Sequence, residues 1–301
     1  MNMFKFKRLQ PTIATTCQMD VDSLFHILST DCGYYLSSQD GGGNNRRFAV
    51  KVGSMPIVGV CHLDTVLRKP GAYHYDKKTQ TIVSPELDDR AGFAALILLQ
   101  EIYDFTIICC DDEEIGQSTA SEAADWLTEN KVPVNWIFEL DRRGVEAVTY
   151  DFACPLWDGI VNHYMQSVGQ GSFSDICRME SLGVKGLNCG IGYYKEHSLQ
   201  CYLRLAECFD TCKRVARMIG ELHQVPMVFD YSDPYQYQTK QYSTGKRSHS
   251  IDYTAWDNRR WEDLQEQCLG CQAWTDECED ISGVGLLCSD CVGCMFPDSH
   301  R

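Results

Sequence analysis

Five short pieces of the sequence carry side chains that bind metals and move protons. They are His62-Leu63-Asp64, Leu87-Asp88-Asp89-Arg90-Ala91-Gly92, Asp112-Glu113-Glu114-Ile115-Gly116, Glu139-Leu140-Asp141 and Glu196-His197-Ser198. Imidazole nitrogen and carboxylate oxygen are donors that zinc takes at catalytic centres, where one coordination position stays open for water. A carboxylate has two oxygens and can span two ions about 3.5–4 Å apart. A ligating histidine usually gives its second ring N–H to a nearby acceptor, and residues two apart on a strand face the same side. His62 is therefore a candidate ligand with Asp64 as its orienter. The adjacent Glu113 and Glu114 fit a division of labour, one carboxylate on metal and the other accepting a proton from water. Each piece is weak alone, since an HxD pair is often a cap and a DDEE run is often a solvated turn. Their order and shared placement carry the reading.

That placement follows from the elements around them. Apolar runs at 56–64 (PIVGVCHLD), 105–114 (FTIICCDDEE) and 134–141 (VNWIFELD) read as strands, and each ends in acids or histidine. Helix-like segments alternate with them at 88–103, 118–130 and 207–224, with Ser118 or Thr119 as the cap of the second. A helical stretch at 175–183 and a strand at 186–192 complete the series. This alternation predicts an α/β fold, a three-layer sandwich with a mainly parallel mixed sheet flanked by helices. In such sheets ligands bind outside the carboxyl ends of the strands, which is where the five pieces fall. Residues 1–46 read as a lead-in with one short helix over Val21–Ser29 and a polar loop, SSQDGGGNN. No Gly-Lys-Ser/Thr follows the GGG run, so it is a flexible turn and not a phosphate loop.

Together the runs GVCHLDTV, ELDDRAG, DDEEIG, ELD and EHS make residues 50–220 similar to the co-catalytic zinc exopeptidases, a clan of aminopeptidases, glutamate carboxypeptidases and desuccinylases. The resemblance implies that His62, Asp88 and Asp141 hold one zinc ion and that Asp88, Glu114 and His197 hold the other, with Asp88 shared. Cobalt or manganese also suits such donors. It further implies Glu113 as general base, Asp64 as orienter of His62, and Ser174 and Asp175 as part of the substrate-binding lining. Two departures stand out. Only 55 residues separate Asp141 from His197, too few for the inserted dimerisation domain of carboxypeptidase-like members, so a compact lidless form is expected. The glutamate that usually follows the last histidine is missing from EHSLQCYL.

The rest of the chain bounds the reading. With 27 basic against 42 acidic residues the net charge is −15, which disfavours a nucleic-acid backbone as partner. No apolar stretch is long enough for a membrane span. The N-terminus MNMFKFKRLQ lacks the apolar block of a signal peptide, so a cytoplasmic location is expected. Of 17 cysteines, six lie between Cys268 and Cys294. Cys268-x-x-Cys271 and Cys288-x-x-Cys291 stand 16 residues apart, the spacing of a closed structural zinc tetrad. The expected organisation is a catalytic domain over 1–229, a polar linker over 230–262, and a zinc-ribbon-like module over 263–301. The module's acidic residues point to a protein partner. The expected function is hydrolysis of an amide bond near the N-terminus of short peptides. Two rivals remain: a deacylase of N-acyl amino acids using the same site, for which Arg142, Arg143 or Lys195 would grip the substrate carboxylate, and a non-catalytic binding protein stabilised by metal.

Overall fold

A computed structural model describes residues 8–41, 44–67, 72–229, 278–281 and 285–288. Its organising feature is a ten-stranded sheet. Four strands form the centre and run parallel, in the order β6 (Phe105–Cys110), β3 (Met55–His62), β7 (Trp136–Arg143) and β9 (Lys185–Tyr194). Every residue of β6 is buried, as are nine of the ten in β9. Such unbroken apolar runs arise where both faces of a sheet are covered.

Antiparallel strands extend the sheet on both sides. The hairpin of β1 (Tyr35–Gly41) and β2 (Asn44–Lys51) joins β6, while β10 (Tyr202–Arg204), β5 (Thr81–Val83) and β4 (His74–Asp76) continue from β9. The short β8 (Ala147–Val148) also pairs with β9. The sheet is thus mixed, with its parallel part at the centre. The hairpin replaces the polar loop expected before residue 46. Its polar outer strand lacks an apolar alternation, and its pairing comes from β2, which buries Phe48, Ala49 and Val50 beside β6.

Among the described residues six helices accompany the sheet: α1 (Leu9–Cys17), α2 (Val21–Thr30), α3 (Leu87–Tyr103), α4 (Ala120–Glu129), α5 (Pro155–Met165) and α6 (Leu205–Leu222). Helix α3 lies against β3 and β7 and touches α1 and α6, whereas α4 packs on β2 and β6. Helix α1 was not expected. It does bury a helical stripe of Leu9, Ile13, Thr16 and Cys17, but two of those four are a threonine and a cysteine, so the apolar period is faint. Arg90, from the LDDRAG piece, fixes α1 in place. It is 2% exposed, and its Nη1 donates to the carbonyls of Thr16 at 2.9 Å and Met19 at 3.1 Å. These acceptors lie at the C-terminal end of α1, where helix carbonyls lack internal partners.

The expected helix at 118–130 begins with Thr119 in the capping position, but its hydroxyl is used elsewhere. It accepts from Asp111 N–H and donates to the Arg47 carbonyl, so it ties the β6 end to β2. The segment 175–183 forms two short 3-10 turns, Asp175–Arg178 and Glu180–Leu182. The interval between Asp141 and His197 holds β8, α5, these turns and β9. Among the described residues no helix is long and apolar enough to cross a membrane.

Strands β11 (Cys278–Ile281) and β12 (Gly285–Cys288) form a separate antiparallel pair with Cys278 opposite Cys288. Of the expected zinc tetrad, Cys288 ends β12, and Cys268, Cys271 and Cys291 lie outside the described residues, as does the linker 230–262.

Candidate metal centre

The carboxyl ends of the parallel strands carry the first ligand candidates. His62 closes β3, with its side chain 2% exposed. Its Nδ1 sits 3.0 Å from the Asp64 main-chain carbonyl and 3.6 Å from Asp64 Oδ1. The carbonyl is the hydrogen-bonding partner, since 3.6 Å exceeds a normal hydrogen bond. With its proton on Nδ1, the ring turns Nε2 toward the site. The main-chain carbonyl of Asp64 therefore holds the ring, with its carboxylate close by.

That carboxylate has another task. It accepts the main-chain N–H of Glu113 at 3.2 Å and of Glu114 at 3.0 Å. Two hydrogen bonds from one side chain thus hold the turn that carries both glutamates. The turn also needs left-handed backbone at Asp112 (φ 63) and Gly116 (φ 71), a conformation that costs glycine little.

Asp88 stands at the start of α3 with non-helical angles, φ −93 and ψ 110, which swing its carboxylate off the helix. Its Oδ1 lies 3.4 Å from His62 Nε2 and its Oδ2 3.2 Å from His197 Nε2. The following turn is packed tightly. A Cβ at Gly92 would come within 2.1 Å of Asp89 Oδ1 and 2.5 Å of the Leu140 carbonyl, so only glycine lets α3 approach the end of β7.

Asp141 Oδ2 lies 3.6 Å from His62 Nε2, and Glu114 Oε2 lies 3.2 Å from His197 Nε2. Two donor groups result, His62 with Asp88 and Asp141, and Asp88 with Glu114 and His197. Within each group the donor atoms lie within 4.8 Å of one another. Glu113 belongs to neither, and its Oε2 is 3.9 Å from His62 Nε2. The five ligand candidates and Glu113 are thus brought together.

Ser174 and Asp175 are placed differently. They are 2% and 1% exposed, and the Ser174 hydroxyl donates to the Glu139 carboxylate. Both are buried, with Asp175 close enough to His62 and Glu113 to feel their charge. Two side chains that the sequence did not single out complete the surroundings. Asn188 binds the main chain of Asp141, and the Tyr193 phenol touches the carboxylates of Asp141 and Asp88. Nothing in GYYKEHS distinguishes Tyr193 from Tyr194, whose hydroxyl donates to Glu207 instead.

The donor chemistry fits divalent cations. One imidazole and two carboxylates per group suit zinc, cobalt or manganese. The electrostatics agree, because carboxylates this close and this buried oppose one another's ionisation. Burial pushes Asp141 up to about 7 and Glu114 up to about 8, in both cases helped by the charge of Asp88. The hydrogen bond to Asp88 pushes His197 up to about 9. The metal-free site therefore holds protons at pH 7 that a metal must displace. Zinc uptake at pH 7 is expected to release protons, and affinity is expected to fall as pH is lowered. Calorimetry in buffers of different ionisation enthalpy measures the release, and zinc binding without it would show that these groups are not the ligands.

No family model and no curated protein matches the chain. Among solved structures it is similar to aminopeptidase PepT from Bacillus cereus ATCC 10987, with a TM-score of 0.52 and 13% identity, covering 70% of this chain and 97% of that one. A tripeptidase from Staphylococcus aureus subsp. aureus Mu50 gives a TM-score of 0.51 and 10% identity over 70% of this chain and 96% of that one. The chain has the α/β fold of these two structures, with its two donor groups gathered at the strand ends and at the start of α3.

Proposed function

We propose that the chain is a metal-dependent hydrolase that cleaves an amide bond near the free amino end of short peptides. The observation that carries this reading is the pair of donor groups sharing Asp88, with the uncommitted carboxylate of Glu113 beside them. His62, Asp88 and Asp141 would hold one ion, and Asp88, Glu114 and His197 the other. When bound, the ions supply Lewis acidity to the scissile carbonyl and to water. Glu113 accepts the proton of the attacking water and returns it to the leaving amine. Burial raises its pKa above the ordinary carboxylate value, which improves it as a base near neutral pH. Asp64 keeps that base in place through the two N–H groups it accepts. The names of the two similar structures, an aminopeptidase and a tripeptidase, point to the same substrate class.

The deacylase reading asks for a free cation to grip a substrate carboxylate, and the three candidates are engaged. Arg142 Nη2 donates to the Gln170 carbonyl, Arg143 pairs with Glu196, and Lys195 donates to Gln200. Apolar side chains are exposed instead on the loops that bear the site: Val66, Leu67, Ile115, Phe173 and Leu199. An unblocked peptide with apolar side chains suits that rim. A closed thiolate zinc site in the cysteine-rich segment, and a protein partner bound through it, belong to the same proposal.

The test joins zinc content with a substrate panel. About three zinc ions per chain are expected, two at the shared-carboxylate site and one at the thiolates. Aminoacyl-anilides and short peptides with apolar N-terminal residues should be cleaved in preference to N-acyl amino acids. A chain that holds both site ions and cleaves no unblocked peptide would sink the peptidase reading in favour of a deacylase or a binding protein.

A further inference from the structure

Strand β9 grips Asp141 from outside the site. At the irregularity in the β7–β9 pairing between Glu139 and Arg142, the Asn188 side chain stands in for the missing main-chain partner. Its Oδ1 accepts the Asp141 N–H at 3.0 Å, and its Nδ2 donates to the Asp141 carbonyl at 2.8 Å. Farther along the same strand, the Tyr193 hydroxyl lies 2.9 Å from Asp141 Oδ1 and 3.3 Å from Asp88 Oδ1. A phenol has one proton to donate, and the shorter contact makes Asp141 Oδ1 the acceptor. The opposite oxygen, Oδ2, is the one that faces His62 Nε2. Tyr193 is 2% exposed, so its hydroxyl has been brought into the interior for a partner, as buried phenols are.

We propose that Tyr193 is a positioning residue for the ion taken by His62, Asp88 and Asp141. By occupying Asp141 Oδ1 it leaves Oδ2 as the single oxygen that Asp141 gives that ion, and it makes this ion the tighter of the two. The inference rests on the metal-dependent reading above. Burial supports the asymmetry independently, since the His62 side chain is 2% exposed and that of His197 is 56% exposed. Outer hydrogen bonds of this kind fix a ligand's orientation before the metal arrives. The ion next to His62 is therefore held by a preset cage, while the ion next to His197 depends on a side chain that solvent reaches.

The test is a titration of the metal-free full chain with cobalt(II), in competition with a chromophoric chelator. The visible spectrum of cobalt separates oxygen and nitrogen ligation from thiolate ligation, so any ion at the cysteines is counted apart. The wild type should show two oxygen-and-nitrogen sites of unequal affinity. Y193F should weaken the tighter by about 10- to 100-fold and leave the weaker unmoved. Y194F, whose phenol serves Glu207, should change neither. A Y193F protein with both constants unchanged, or with both weakened alike, overturns the proposal; the second outcome marks a general packing role. If Y193F does not fold, a fluorotyrosine at 193, which keeps the shape and alters the donor, should move the tighter constant alone, and no movement overturns the proposal. A wild type that binds no cobalt at oxygen and nitrogen donors would overturn the hydrolase reading together with this one. Two bound ions with an unmoved Y193F overturn this one only.

Discussion

Glu113→Gln is expected to lower kcat by about 10²- to 10⁴-fold, the usual worth of a positioned general base, while zinc content stays at the wild-type level. The two halves of that result have separate physical causes. Glutamine keeps the size of the side chain but cannot accept a proton and carry it to the leaving amine. The turn, in contrast, is held through the main-chain N–H groups of residues 113 and 114 on the Asp64 carboxylate, and those groups are untouched by the change. The Glu114 carboxylate therefore remains 3.2 Å from His197, and the donor groups persist. Kinetics on the best peptide of the panel, with zinc measured on the same samples, checks it. Full activity in E113Q would remove Glu113 from the chemistry, and a parallel loss of zinc would make it a ligand.

Asp88→Ala is expected to empty both sites. Each donor group has three members, and Asp88 is one of them in both. The alanine leaves one imidazole and one carboxylate per ion, so affinity for each should fall by more than the ~10- to 100-fold that loss of an outer hydrogen-bond partner costs. Asp88→Asn sharpens the test. Asp88 presents Oδ1 to His62 and Oδ2 to His197, and the amide keeps one of those oxygens. One site ion per chain is expected in the asparagine variant and none in the alanine variant. Two ions retained in D88A would show that the sites do not share this carboxylate.

Two of the ligand candidates, His62 and Asp141, were legible because they sit where sequence patterns are strongest, at the ends of apolar runs that must be central strands. His62 ends β3, and Asp141 lies near the end of β7. What surrounds them was not legible, because it depends on which atoms of a residue are used. Asp64 stands two residues after His62, as an orienter should, yet it supplies its carbonyl to the ring and its carboxylate to the glutamate turn. Ser174 and Asp175 are polar and close to the site, but burial is a property of the folded chain. Tyr193 and Tyr194 are identical letters on opposite faces of one strand. The β1–β2 hairpin was hidden because its outer strand, YLSSQDG, has no apolar alternation.

Arg90 carries a consequence for the N-terminal end of the fold. Its guanidinium is buried, and two of its acceptors belong to residues 16 and 19. Losing the acceptors of a buried cation costs several kcal/mol, and Arg90 lies two residues from Asp88. Helix α1 therefore supports the turn that carries Asp88. Proteases or truncations that remove it are expected to disturb Asp88 from a distance, by undermining the helix at whose start it stands.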